Sequence, residues 1–382
     1  MLTALAIPMD LAGSVTLSDR TEIRARAPGT YGAASVDVET VITGELTLRS
    51  RGFRFALAYS PHLAIWDVGT AAVQPTVAHT GQARAEWISR RARLSLEEVG
   101  SYGGMNLAAS SPSPGPEGQP PSADLVPSSQ VLQFVSSTTT LAAGLTLQRW
   151  TVVARAGYQI SGGADADARR TLPLLAGPSG EASAAYAVSR VDRAVATLTA
   201  SETTASSGPE AVLVDASLSH RHRWSGATET WLTAGVSGGR MTIAPLATPS
   251  SAAYPVAEIG VARRGVALGR VSVQASARLA PIISPLTGLI DERAQVSLGE
   301  TYQRERFTTG ASLSASRSVP ASGPFATSVF NGQLGAGYGV TKLVALDAGV
   351  RGIWQRQEAT GAALSMATLF IGVTLRAPPA RL

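Results

Sequence analysis

Two histidines, His220 and His222, sit two residues apart. On a strand that spacing puts both imidazoles on one face, where a divalent metal could be chelated. Two nitrogens without a third ligand fall short of a zinc site, and a place at the edge of a sheet suits the pair better. Gly335, Gly337 and Gly339 also alternate. A phosphate-cradling loop would need a following helix and a Gly-Lys-Ser, and neither is there, so room or close backbone approach explains them better. The chain has no cysteine and no His-Glu-x-x-His. The expectation is a protein with no catalytic residues, no cofactor and no metal.

The charged residues are more telling. Arg20, Glu22, Arg24 and Arg26 share one parity, and so do Asp37, Glu39 and Glu45 in the next segment. Arg84 and Glu86 follow, then Arg155, Arg278, Arg293, Asp347 and Arg351. Spaced this way they would line one face of a sheet. Two roles stay open: a polar conduit whose side chains touch a hydrated solute, or charges that pair with one another and brace the wall. Either role requires a wet interior, because unpaired charges in a dry one are costly.

The elements that must position them are strands. Val36, Val38, Thr40, Ile42, Gly44, Leu46 and Leu48 fall on one parity, against Ser35, Asp37, Glu39, Val41, Thr43, Glu45, Thr47 and Arg49 on the other. Such a stretch is long for a soluble strand and long enough to cross a bilayer at a tilt. About eighteen segments read this way: 13–26, 34–49, 53–66, 77–89, 92–102, 133–148, 150–161, 181–189, 194–201, 212–220, 228–237, 256–263, 266–279, 293–302, 307–316, 328–340, 344–355 and 365–376. Connections at 50–52, 148–149, 190–193, 224–226, 304–305 and 341–342 are tight, whereas the intervening ones are longer, 103–129 being the extreme. Membrane barrels alternate short periplasmic turns with longer external loops. The expected fold is therefore all-β: a transmembrane, antiparallel up-and-down β-barrel of about eighteen strands with no plug domain, in the outer membrane of a Gram-negative cell, both termini periplasmic. No period of about 40 residues supports a soluble propeller.

Composition agrees. Hydrophobic residues make up 45% and charged residues only 15% of 382, below the quarter or so usual in soluble proteins. The net charge of +5 is spread along the chain, with no basic block to grip nucleic acid. Trp87, Trp150, Trp224, Tyr302 and Tyr338 flank the short turns, while Phe55, Tyr59, Trp66, Tyr158 and Trp354 are assigned to the opposite ends, giving two interfacial belts. Asp19, Glu98 and Glu300 fall on the lipid parity. Glu300 is near a turn; Asp19 and Glu98 call for a parity-flipping bulge or a different register. A lipid-side hydrolase would need a serine–histidine pair there, and His79 has no evident partner. Residues 1–12 read as a signal-peptide remnant or periplasmic lead-in, 13–376 as the barrel and 377–382 as a periplasmic tail.

The phrases Arg278-Leu-Ala-Pro-Ile-Ile-Ser-Pro-Leu-Thr-Gly-Leu-Ile-Asp-Glu-Arg293 and Tyr186-Ala-Val-Ser-Arg-Val-Asp-Arg193, with the strand number and absent plug, resemble the Wzp-type and EpsL-like outer-membrane barrels of exopolysaccharide export systems. The resemblance implies a conduit for a secreted polysaccharide, working with a periplasmic polysaccharide-export protein of the Wza kind. Arg51, Arg90, Arg91, Arg149, Arg190, Arg193, Arg223, Arg263, Arg264 and Arg304 ring the turns, available to such a partner or to anionic outer-membrane lipids. A general diffusion porin for small hydrophilic solutes is the alternative, and a structural barrel with a closed lumen a third.

Overall fold

The computed structural model describes residues 12–27, 34–68, 73–106, 131–243, 246–265, 269–284, 287–320, 326–358, 361 and 363–381. Eighteen long strands alternate in direction. In chain order they are β1 (Ala12–Arg26), β2 (Ser35–Arg49), β3 (Phe53–Val68), β4 (Gln74–Ile88), β5 (Ala92–Asn106), β6 (Val131–Thr146), β7 (Trp150–Gly163), β8 (Leu175–Ala187) and β9 (Asp192–Ala205). Then come β10 (Glu210–Arg223), β11 (Thr228–Ile243), β12 (Leu246–Gly265), β13 (Arg270–Ile283), β14 (Ile290–Arg304), β15 (Phe307–Pro320), β16 (Thr327–Gly339), β17 (Val344–Gln357) and β18 (Ala363–Arg376). Each pairs with its sequence neighbours, and β1 pairs with β18, so the sheet closes into an antiparallel barrel. Followed once round the wall, the register accumulates a stagger of about 22 residues, which tilts the strands by about 40°.

One face of every strand carries the apolar side chains. Leu198, Leu218, Leu232, Ile259, Val296, Leu334, Leu369 and Ile371 are all more than half exposed, as befits a wall that meets lipid. Among the described residues no helix is long and apolar enough to cross a membrane; the strands do so.

Chemistry at the short-turn rim is repetitive. Ser89, Ser189, Ser225 and Thr341 each open a turn and accept hydrogen bonds at 2.9–3.1 Å from backbone N–H groups two or three residues on. Such hydroxyl-closed turns keep four hairpins short. Trp87, Trp150, Trp224, Tyr302 and Tyr338 lie near this rim, and Trp150 packs on Tyr186 with ring centroids 4.7 Å apart.

Three features depart from the sequence expectation. Ala380–Arg381 form a short strand, β19, against Ser14 and Val15 of β1, so these residues of the tail join the wall. Between β7 and β8 lies a single helical turn, α1 (Ala166–Thr171), which the alternation pattern missed. Asp165 caps it by accepting from Ala168 N–H at 2.7 Å. Strands β8 and β12 begin 6 and 10 residues earlier than expected, because β12 continues as a ribbon paired with β11 above its last contact with β13. Residues 1–11, 107–129 of the long connection and 266–268 of the expected thirteenth strand lie outside the described residues.

Candidate functional site: the interior of the barrel

All fourteen charged residues singled out from the sequence share the face opposite the apolar one, as the pairings Arg24↔Asp37, Arg84↔Glu97, Arg155↔Glu181 and Glu258↔Arg278 require. The structure brings five of them into one network. Arg20 reaches both Glu22 and Asp347 at 2.8 Å. Arg24 bonds Glu22 at 2.5 Å and also Glu39, which holds His62 Nδ1 at 3.2 Å. Glu22 is thus shared by two arginines, and Asp347 of β17 ties to β1 across β18.

Higher on the same strands, Arg26 grips Asp37 through both Nε and Nη2, at 2.9 and 3.0 Å. The sequence analysis missed the third member. Asp67, in a left-handed conformation (φ 55°) beside a register shift in β2–β3, places its carboxylate 2.7 Å from Arg26 and donates its N–H to Asp37 at 3.0 Å. A non-glycine residue at positive φ is strained unless its surroundings hold it there. Its signal in the sequence is weak: one acid next to a strand end.

The remaining candidates stand apart. Glu86 pairs with Arg93 and lies 3.9–4.0 Å from Arg84 and Arg54 near the short-turn rim. Arg155 meets Glu181 at 3.2 Å. Glu45 accepts only from Thr47 Oγ1, at 3.2 Å. Arg293 donates to Ser318 Oγ at 2.8 Å, Arg278 faces Glu258 in the register, and Arg351 is enclosed near Arg24 and Glu22. Elsewhere the inward face is hydroxylic: Thr43–Ser60, Thr80–Ser101, Thr233–Ser219 and Ser276–Ser297 pair at 2.8–3.1 Å. An eighteen-stranded cylinder leaves an aqueous lumen unless something fills it.

Something partly does. Above the Ala257↔Leu279 pair β13 leaves β12, while β13 and β14 stay paired up to Ile283↔Ile290. This hairpin tip bends inward until β13 touches β10, three strands away. Ile290 is completely buried among Ala211, Leu213, Met241 and Tyr254, which belong to the inward face of β10–β12. Its N–H points at Met241 Sδ, 3.1 Å away. Gly288, at φ 70°, abuts Ala205 and Leu175 so closely that an added Cβ would lie 2.8 Å from the Ala205 methyl. The tip thus leans from β13–β14 across the long-loop mouth to β8–β10. It is the segment 278–293 that carried the resemblance in sequence.

Several expectations need correction. Trp66 faces inward, 4% exposed, and donates to Thr76 Oγ1 at 2.8 Å, so it belongs to no interfacial belt. Phe55 lies two residues into β3, beside the short turns. His79 bonds the Tyr59 hydroxyl, 2.7 Å from its Nδ1, and not a serine. Glu98 keeps its lipid-facing parity with no bulge: Ser137 Oγ donates to it at 2.7 Å and Thr139 Oγ1 donates to its other oxygen. His220 and His222 both turn to Asp192 Oδ1, at 3.3 and 2.7 Å, at the short-turn end of the outer face.

Among solved structures, the FrpB iron transporter of Neisseria meningitidis (F3-3 variant) superposes with a TM-score of 0.52 at 10% identity, over 91% of this chain and 62% of that protein. The chain therefore spans less than two thirds of FrpB, and the likeness is one of fold. OccK5 (OpdH) of Pseudomonas aeruginosa matches at a TM-score of 0.48 and 12% identity, over 96% of this chain and 98% of that one. No curated protein matches. The model of the EpsX exopolysaccharide export family covers residues 12–378, the whole barrel from its first strand through its last long one, and the chain belongs to that family.

Proposed function

We propose that this barrel is the outer-membrane conduit through which a secreted polysaccharide leaves the cell. Family membership over the entire barrel carries the reading. The interior chemistry supports it: hydroxyls and mutually paired charges present a surface to which a hydrated sugar chain can bond weakly and repeatedly without being trapped. The fourteen inward charges act here as the conduit's lining. Both termini and the short turns lie on the periplasmic side, where the ring of turn arginines meets a periplasmic export protein of the Wza kind. Affinity purification of the full barrel from crosslinked cells should co-isolate that protein. Its absence, with polysaccharide still secreted, would remove the partner from the account.

A diffusion channel for small hydrophilic solutes is the second reading, and the inward β13–β14 tip favours it by narrowing the mouth. Liposome swelling with sugars of graded size separates the two. Rapid flux of mono- and disaccharides through the isolated protein supports the porin; exclusion of them supports a dedicated exporter that opens for its polymer.

A further inference from the structure

The outer face is not uniformly apolar. Asp19 stands midway along β1 and Glu98 midway along β5, both pointing away from the interior between exposed leucines and valines. The pairing rows climb from β1 towards β5 with the strand tilt, which brings the two acids to the same depth. Between and beside them lie further polar groups: the Thr21–Thr40 hydroxyl pair at 3.2 Å, Tyr59 bonded to His79 at 2.7 Å, then Ser137 and Thr139 on β6. Hydrocarbon chains offer none of these groups a partner, and one oxygen of Asp19 is buried with no donor. On the opposite half of the barrel the same depth is held by Leu198, Leu218, Leu232, Ile259 and Val296. Gly44 and Gly81 flank Tyr59 in one row, and a Cβ on either would meet nothing within 4 Å. The belt is therefore flat as well as polar, and a neighbouring wall could approach it closely.

We propose that this belt on β1–β6 is an interface between copies of this chain within the membrane. Only another membrane-spanning protein can cover a surface at this depth. A second copy brings the same belt to the same height, and its groups are self-complementary: carboxylates with acceptor sites beyond the bonds they make within their own wall, and hydroxyls, a phenol and an imidazole able to donate to them.

The chain has no cysteine, so a single Gly81→Cys provides a clean reporter in intact outer membranes. A short bismaleimide should yield an adduct of twice the chain mass at Gly81→Cys and none at Ala277→Cys, on the outer face of β13 across the barrel. In the Gly81→Cys background Glu98→Leu, which only makes a lipid-facing site more apolar, should cut the adduct about tenfold or more through the lost charged hydrogen bonds. Heat-modified gel migration verifies that each variant remains a folded barrel. Equal adducts at both positions, no adduct at either, undiminished adduct in the Glu98→Leu variant, or an adduct of another mass would each overturn the proposal.

Discussion

Arg26 and Asp37, diagonal neighbours on β1 and β2, are joined by two parallel hydrogen bonds of 2.9 and 3.0 Å, with the Asp37 side chain 1% exposed. The same Nη2 also donates to Asp67, so one cation serves two acids and the trio spans three strands. Fixed forks of this kind hold geometry better than a lysine could.

Breaking that pair should be expensive, because the survivor would be a charge left without its partner in a nearly closed site. Asp37→Ala is expected to lower barrel stability by about 3–5 kcal/mol. The triple replacement Asp37→Leu, Arg26→Met and Asp67→Asn should cost much less, since neither the cation nor either of its acids is left without a partner. Equilibrium unfolding in urea with the protein in detergent micelles reads both values. Equal losses in the two variants would show that packing, not charge, governs the site.

The inward tip makes a separate prediction about conductance. Replacing residues 284–289 by a two-residue turn removes the span between Ile290 and the β8–β9 edge and should raise single-channel conductance several-fold in planar bilayers. Ile290→Ala should act in the same direction but less, by withdrawing the side chain that anchors the tip among Leu213, Met241 and Tyr254. Conductance unchanged by the shortening would mean that the tip does not govern the pore.

At the long-loop rim, just beyond β17, Glu358 accepts from Arg317 at 2.8 and 2.9 Å, and this bond holds its carboxyl below the usual carboxylate range. A depressed folded pKa means that the clasp contributes above the unfolded pKa and is lost as pH falls through the folded one. Proteolysis at this rim should therefore increase as pH drops from 7 to about 3, measured with an acid-active protease against an unstructured control peptide. Glu358→Gln should give the acid-like cleavage already at neutral pH. A flat profile in the native chain would contradict the clasp.

The barrel was legible because its code is local. A period of two in side-chain polarity, together with short connections alternating with long ones, defines strand, face and hairpin without knowledge of distant contacts. Thus all eighteen long strands were located, and Asp19 and Glu98 sit on the outward parity that simple alternation gives them. What alternation cannot show is tertiary. Whether Ile290 continues a wall or folds beneath one depends on the inner faces of β10–β12, whose Tyr254, Met241, Leu213 and Ala211 are distant in sequence. The hint was present, since Ile282, Ile283, Leu289 and Ile290 are too apolar for a loop in water. Trp66 was misplaced for a related reason: aromatics favour interfacial belts on average, but this one satisfies its indole N–H on Thr76 inside the wall. The α1 turn escaped because a six-residue helix is set by its Asp165 cap and gives no lasting period of its own.

The account stands most directly on where the polymer goes when the barrel is missing. In a clean deletion, polysaccharide appearing outside the cell should fall to background while synthesis continues and material accumulates in the periplasm, and wild-type barrel in trans should restore release. Unaltered secretion in that strain would contradict the account.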